Sequence, residues 1–145
     1  MIPRRQSAAL ILLLSISTVA CSTENAAKTP DPQAVLEAIP QADPTQYDRI
    51  QDMRKWRNPY LIVRADGLAL IDSADSAEIL LKTDELLPEL AQLRPAKWPY
   101  GRVVAVAEDT AKASEQDTVA IRRNKGIVGG ILQDAHVAVK WVASG

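Results

Sequence analysis

His136 is the single histidine of this 145-residue chain, so a Ser-His-Asp or Cys-His mechanism would have to be built around it. It opens the alternating run His136 to Val142, which reads as a strand, and no Gly-x-Ser-x-Gly elbow elsewhere supplies a nucleophile. Glu108 and Asp109 close the β-branched run Arg102 to Ala107, and strand ends commonly hold general acids and bases. Paired acids in a loop are more often merely solvated. With His136 as an optional third member, these two acids define an enzymatic alternative, a small hydrolase or transferase. Asp72, Asp75 and Glu78 could offer oxygens to calcium, but they lack the glycine-centred twelve-residue loop that wraps the ion. Gly126-Ile127-Val128-Gly129-Gly130 has neither the dinucleotide-binding spacing nor a Walker lysine, and close helix packing accounts for it. No cofactor and no metal is expected.

The aromatic residues repeat in a pattern. Lys55-Trp56-Arg57-Asn58-Pro59-Tyr60 leads into one apolar run and Lys97-Trp98-Pro99-Tyr100 leads into another. If the two runs are neighbouring strands, Trp56, Arg57, Tyr60, Trp98 and Tyr100 share one rim of the sheet. Exposed Trp and Tyr beside Arg suit a sugar face, a lipid headgroup or a protein hot spot. The competing reading is that the rings cap the core where the sheet ends. Arg54-Lys55-Trp56-Arg57 could also lie against an anionic membrane.

Cys21 is the only cysteine. It follows two arginines, Arg4 and Arg5, and an apolar segment from Ala8 to Ala20, which together have the layout of a secretory signal peptide. The segment is short for a membrane span, which needs about 20 apolar residues. Ser17-Thr18-Val19-Ala20-Cys21 resembles the lipobox of bacterial lipoproteins, with Thr18 where a large aliphatic residue is commonest. The resemblance implies cleavage before Cys21, a thioether-linked diacylglycerol on its thiol and acylation of the new amino group. Ordinary cleavage after Ala20 or an uncleaved anchor are the alternatives. Two or three acyl chains, at about 0.8 kcal/mol per buried methylene, hold a protein on a membrane essentially permanently. Ser22, in place of the Asp that signals inner-membrane retention, implies an outer-membrane lipoprotein facing the periplasm.

Loss of residues 1–20 would leave one small domain, and removing Arg4 and Arg5 takes the formal charge from −1 to −3. That balance implies no nucleic-acid partner. With its one cysteine committed to lipid, the chain has no internal disulfide and must rest on its apolar core. Phenylalanine is absent, so Leu, Ile, Val, Ala and a few Trp and Tyr must build that core.

The elements that would position these residues can be read in order. Ser22 to Thr29 is a polar tether, and the single domain spans 31–145. Asp31-Pro32 and Asp43-Pro44 are N-cap and first-turn pairs. The first helix carries Val35, Leu36 and Ile39 and stops before Pro40; the second carries Tyr47, Ile50 and Met53 and ends near Trp56. Tyr60 to Val63 and Leu68 to Ile71, around Ala65-Asp66-Gly67, read as a hairpin. Lys82 to Leu93 reads as a helix with Leu86, Leu87, Leu90 and Leu93 repeating at three and four. Arg102 to Ala107 is a buried strand. Ser114 and Asp117 form a capping box, and the helix that follows is weakest at Gly126. The order β-β-α-β-α-β after a helical preface predicts an α+β two-layer sandwich, a mixed sheet with helices on one face.

This order is similar to the periplasmic domain of the ExbD and TolR biopolymer-transport proteins, and Arg64-Ala65-Asp66 and Tyr100-Gly101-Arg102-Val103-Val104 resemble short strings in ExbD-type chains. The resemblance covers about Pro59 to Val142 and implies an envelope domain that binds cell wall or partner proteins. It does not imply energy transduction, because the family's membrane segment carries an acidic residue and Ala8 to Ala20 has none. The reading is therefore a periplasm-facing lipoprotein with a non-enzymatic binding domain. Its membrane partner is reached through Cys21, and its further partners are peptidoglycan or envelope proteins.

Overall fold

The computed structural model describes residues 28–72 and 77–143; the expected signal peptide, Cys21 and the expected tether as far as Ala27 lie outside the described residues. Three aspartates start the three N-terminal turns. Asp31 accepts a hydrogen bond from the Gln33 amide and opens α1 (Pro32–Glu37); Asp43 accepts one from Thr45 and opens α2 (Pro44–Tyr47). Asp52 caps a separate 3-10 turn, Met53–Lys55. The expected second helix running to Trp56 is thus two short pieces. The Asp52 carboxylate offers the Arg54 amide a local partner, which competes with continued helix.

The strands are β1 (Tyr60–Arg64), β2 (Gly67–Ile71), β3 (Ile79–Leu81), β4 (Val103–Glu108) and β5 (Ala138–Trp141). They form one mixed sheet in the order β3-β2-β1-β4-β5, antiparallel on the β2 side and parallel from β1 through β4 to β5. The architecture is α+β, with β3 an addition to the four strands expected. β1 and β2 pair as a hairpin in which Arg64 stands opposite Gly67, leaving Ala65-Asp66 as the loop. Gly67 is required because a Cβ there would stand 2.5 Å from the Leu81 carbonyl oxygen of β3.

Two helices cover one face. α3 (Leu86–Gln92) follows a 3-10 turn at Thr83–Glu85, and α4 (Glu115–Asp134) is one unbroken helix of 20 residues through Gly126. Its start is the expected capping box: the Asp117 amide donates to Ser114 Oγ and the Ser114 amide to the Asp117 carboxylate. Ile121, Val128 and Leu132 of α4 meet Leu86 and Leu90 of α3, Leu36 of α1, and Leu61, Val63, Leu68, Leu70, Val104 and Val106 of the sheet. On the opposite face, Val103 and Ala105 of β4 are covered by Tyr47, Trp56 and Tyr100, the N-terminal preface folding back as a lid.

Two buried asparagines tie loops to the sheet. Asn58 donates through Nδ2 to the carbonyls of Gly101 (2.7 Å) and Val103 (2.8 Å) and accepts from the Tyr100 amide (2.9 Å), locking the entry to β1 against the entry to β4. Asn124 of α4 donates to the Arg64 carbonyl (2.8 Å) and fixes the helix over the hairpin turn. Among the described residues no helix is long and apolar enough to cross a membrane.

Candidate functional site

The expected aromatic rim does not form. Trp56 is buried with Tyr47, Tyr100 and Tyr60 on the lid face, and its Nε1 donates to the Pro59 carbonyl (3.1 Å). Trp98 is buried in the helix-side core, and Arg57 is exposed apart from both. The reason is supply: with no phenylalanine, the largest rings are needed inside, where each buries far more apolar area than an aliphatic side chain. The rings cap the core.

The acids and the histidine do not share a site either. Glu108 ends β4 and pairs with Lys125 of α4 (3.1 Å); Asp109 pairs with Arg64 (3.4 Å). His136 lies two residues before Ala138, which stands beside Val103 at the other end of β4. At about 3.3 Å per residue, Glu108 and His136 lie on the order of 20 Å apart along the sheet. Asp72 pairs with Lys97 (3.3 Å) and Glu78 pairs with Arg64 (2.9 Å), so both are engaged by cations; Asp75 lies outside the described residues.

What the fold does assemble is a groove of about 950 Å³ along the free edge of β5. It is lined by Glu37 and Gln41, by Gly129 and Gln133 of α4, and by Arg102, Val137 and Val139. Trp141, the last residue of β5, lines it too. Its ring is half exposed, lies under the ammonium of Lys125 at 4.9 Å, and sits against Gly129, where an added Cβ would touch it at 3.8 Å.

His136 stands at the near end in an uncommon backbone conformation. It does not open the strand as expected; β5 begins at Ala138. His136 is the residue after the C-cap of α4, with φ +57°, and it terminates the helix in a Schellman arrangement: its amide donates to Gln133 O (3.0 Å) and the Val137 amide to Leu132 O (2.8 Å). Glycine is usual here because the left-handed conformation costs a side-chain-bearing residue about 1–2 kcal/mol. His136 is the only non-glycine residue with positive φ among those described. Its Nδ1 lies 3.2 Å from the Glu37 carboxylate. That carboxyl is held below its usual range, first by the hydrogen bond from Gln33, then by the one with His136, with Arg102 adding to the field.

Arg102 is the site's second anomaly. It is only 8% exposed, its Nη1 donates to Leu36 O at 3.3 Å, and its Nε finds no partner among the described residues. It makes no ion pair within the described residues, and a buried charge without a counter-ion is expensive. Its backbone is fixed from both sides: the amide donates to Pro40 O and the carbonyl accepts from the Ala138 amide. The preceding Gly101, at φ +80°, lets the chain pass directly against the Gln41 carbonyl. Sequence reasoning put Arg102 at the head of a strand and missed its role, and it gave Glu37 and Trp141 none. The available signals were an arginine opening a run of buried residues and a histidine where a helix needs its C-terminal glycine.

Arg64 illustrates the contrast with a purely structural arginine. It bridges Glu78 through both terminal nitrogens (2.9 and 3.0 Å) and Asp109 through Nε (3.4 Å), binding the ends of three strands. Its charge is met by direct ion pairs, whereas Arg102 makes none among the described residues and meets Glu37 only through its field. No protein-family model, no curated protein and no solved structure matches this chain.

Proposed function

We propose that this protein is a bacterial envelope lipoprotein, held on the outer membrane by lipid at Cys21, whose small α+β domain binds a wall component or partner protein without catalysing a reaction. The observation that carries the binding half is the groove beside β5, where a buried arginine with no direct ion pair among the described residues, a histidine in a glycine's conformation and an exposed tryptophan meet. Strain retained at such a position is characteristic of sites kept for function. The acids proposed for the enzymatic alternative are separated from His136 by the length of β4 and are engaged in ion pairs. The anchoring half rests on the sequence around Cys21.

Two experiments test the halves separately. Cys21→Ser is expected to remove the acyl mass and release the protein to the soluble periplasm; persistent membrane attachment without acyl mass would overturn lipid anchoring. Envelope material cross-linked to the wild type is expected to be lost with Trp141→Ala, a half-exposed side chain whose removal leaves the core intact. Unchanged cross-linking would overturn the groove as the binding surface.

A further inference from the structure

Building on that binding role, we infer that the groove takes the free C-terminus of an extended polypeptide, which adds as a strand antiparallel to β5 and places its terminal carboxylate between Arg102 and His136. Three observations lead there. The first is the outer edge of β5, which pairs with no further strand among the described residues. β5 pairs with β4 through alternate residues, the Ala138 amide donating to Arg102 O and the Val142 amide to Val106 O. The peptide groups of Val139 and Trp141 are therefore turned to the outer side, where a further strand finds its donors and acceptors.

The second is the charge at one end of that edge. Arg102 lies beside the start of β5, is nine-tenths buried, makes no direct ion pair among the described residues and leaves its Nε without a hydrogen-bond partner there. The imidazole of His136 stands at the same end. A strand running parallel to β5 would bring its N-terminal ammonium to this cation. An antiparallel strand brings its C-terminal carboxylate, the one backbone group whose charge completes the site. The direction and the terminus are thereby fixed together.

The third is the shape beyond the carboxylate. Val139, Gly129 and the Trp141 ring line the groove beyond the carboxylate, an apolar stretch against which a side chain of the incoming strand would pack. Glu37 is the resident anion: its exposed carboxylate accepts from the Gln33 side-chain Nε2 (3.1 Å), lies 3.2 Å from His136 Nδ1 and holds the imidazole at the mouth. An incoming carboxylate competes with it for the same cations.

The test uses a randomised hexapeptide library with free C-terminal carboxylates and the same library amidated, each selected on the full lipidated protein in detergent. Free-acid peptides are expected to be enriched, to lose at least tenfold in affinity on amidation, and to shift the amide resonances of Val139 and Trp141. Glu37→Gln, at an exposed position, is expected to tighten free-acid binding about threefold or more by removing the competing anion. Arg102→Gln is expected to erase the preference for acid over amide. If Arg102→Gln fails to fold, the Glu37→Gln result and the amidation ratio decide alone. Equal enrichment from both libraries, no enrichment from either, or shifts that map away from β5 would overturn the proposal. Trp141-dependent envelope cross-linking that persists alongside such a failure would leave the broader binding role standing and remove only the carboxylate.

Discussion

His136 sets a structural cost against a chemical gain. Its left-handed backbone would be relaxed by glycine, while its imidazole faces Glu37 at the mouth of the groove. His136→Gly is predicted to stabilise the domain by about 1 kcal/mol in urea denaturation, since the lost pair with Glu37 is exposed and worth little. A destabilisation of similar size would mean that the His136–Glu37 contact is structural. Asn58 is the opposite case. Its three hydrogen bonds join segments more than 40 residues apart, and Asn58→Ala is predicted to cost about 3 kcal/mol by leaving buried carbonyls unpaired. Asn58→Asp should cost more, because a carboxylate cannot donate to Gly101 and Val103. The role of Asn58 is not visible in the sequence. An asparagine before a proline reads as a loop residue, and only long-range packing makes it a clamp.

At the scale of the elements, the caps were legible because they are local. Asp31-Pro32, Asp43-Pro44 and the Ser114–Asp117 box each satisfy amides within a few residues, and all three helices start where those residues stand. The hairpin and β4 were legible for the same reason. β3 was not: Ile79 and Leu80 are exposed and show no alternation, and the strand exists because β2 offers it an edge and Arg64 grips Glu78. α4 was legible as a helix from its capping box and apolar face, and only its continuity through Gly126 was in question. Its three glycines lower helix propensity, yet Ile121, Asn124, Val128 and Leu132 pin one face to the sheet, and tertiary packing overrides the local cost. Nothing lies within 4 Å of a Cβ added at Gly126 or Gly130. Gly126→Ala and Gly130→Ala are each predicted to stabilise by about 0.5–1 kcal/mol, read as a raised thermal midpoint. Gly129→Ala should also fold well, but its methyl group would meet Trp141 and narrow the groove.

At the scale of the whole molecule, the sheet divides the core into a helix side and a lid side, and this division explains why the aromatic repeat misled. Trp56 and Trp98 each precede a strand, but they turn to opposite faces. The pH response belongs to this scale as well. Glu37, Asp43 and Asp52 are all held below their usual values, chiefly by side-chain hydrogen bonds from Gln33, Thr45 and Arg54 respectively. The unfolded chain thus binds more protons in acid. Their contribution is complete above the ordinary values of 4.5 for Glu37 and 3.8 for the aspartates, and it is lost as pH falls through the lowered ones. Burial raises the phenols of Tyr47 and Tyr60 above 10.0, so their contribution is complete below that value and lost as pH rises through the raised ones. The urea midpoint is predicted to be flat from about pH 5 to 9 and to fall on either side. A midpoint that rose below pH 4 would contradict this.

The central claim is that the free edge of β5 is the surface by which a membrane-held domain engages its partner. Amide hydrogen exchange over the segment from Val137 to Val142 tests it most directly, compared between the lipidated protein in its native envelope and the same protein purified in vesicles. The account predicts slower exchange at Val139 and Trp141 in the envelope, with the ladder amides of Ala138, Lys140 and Val142 little changed. Equal exchange in both settings, with new protection elsewhere on the domain, would contradict it.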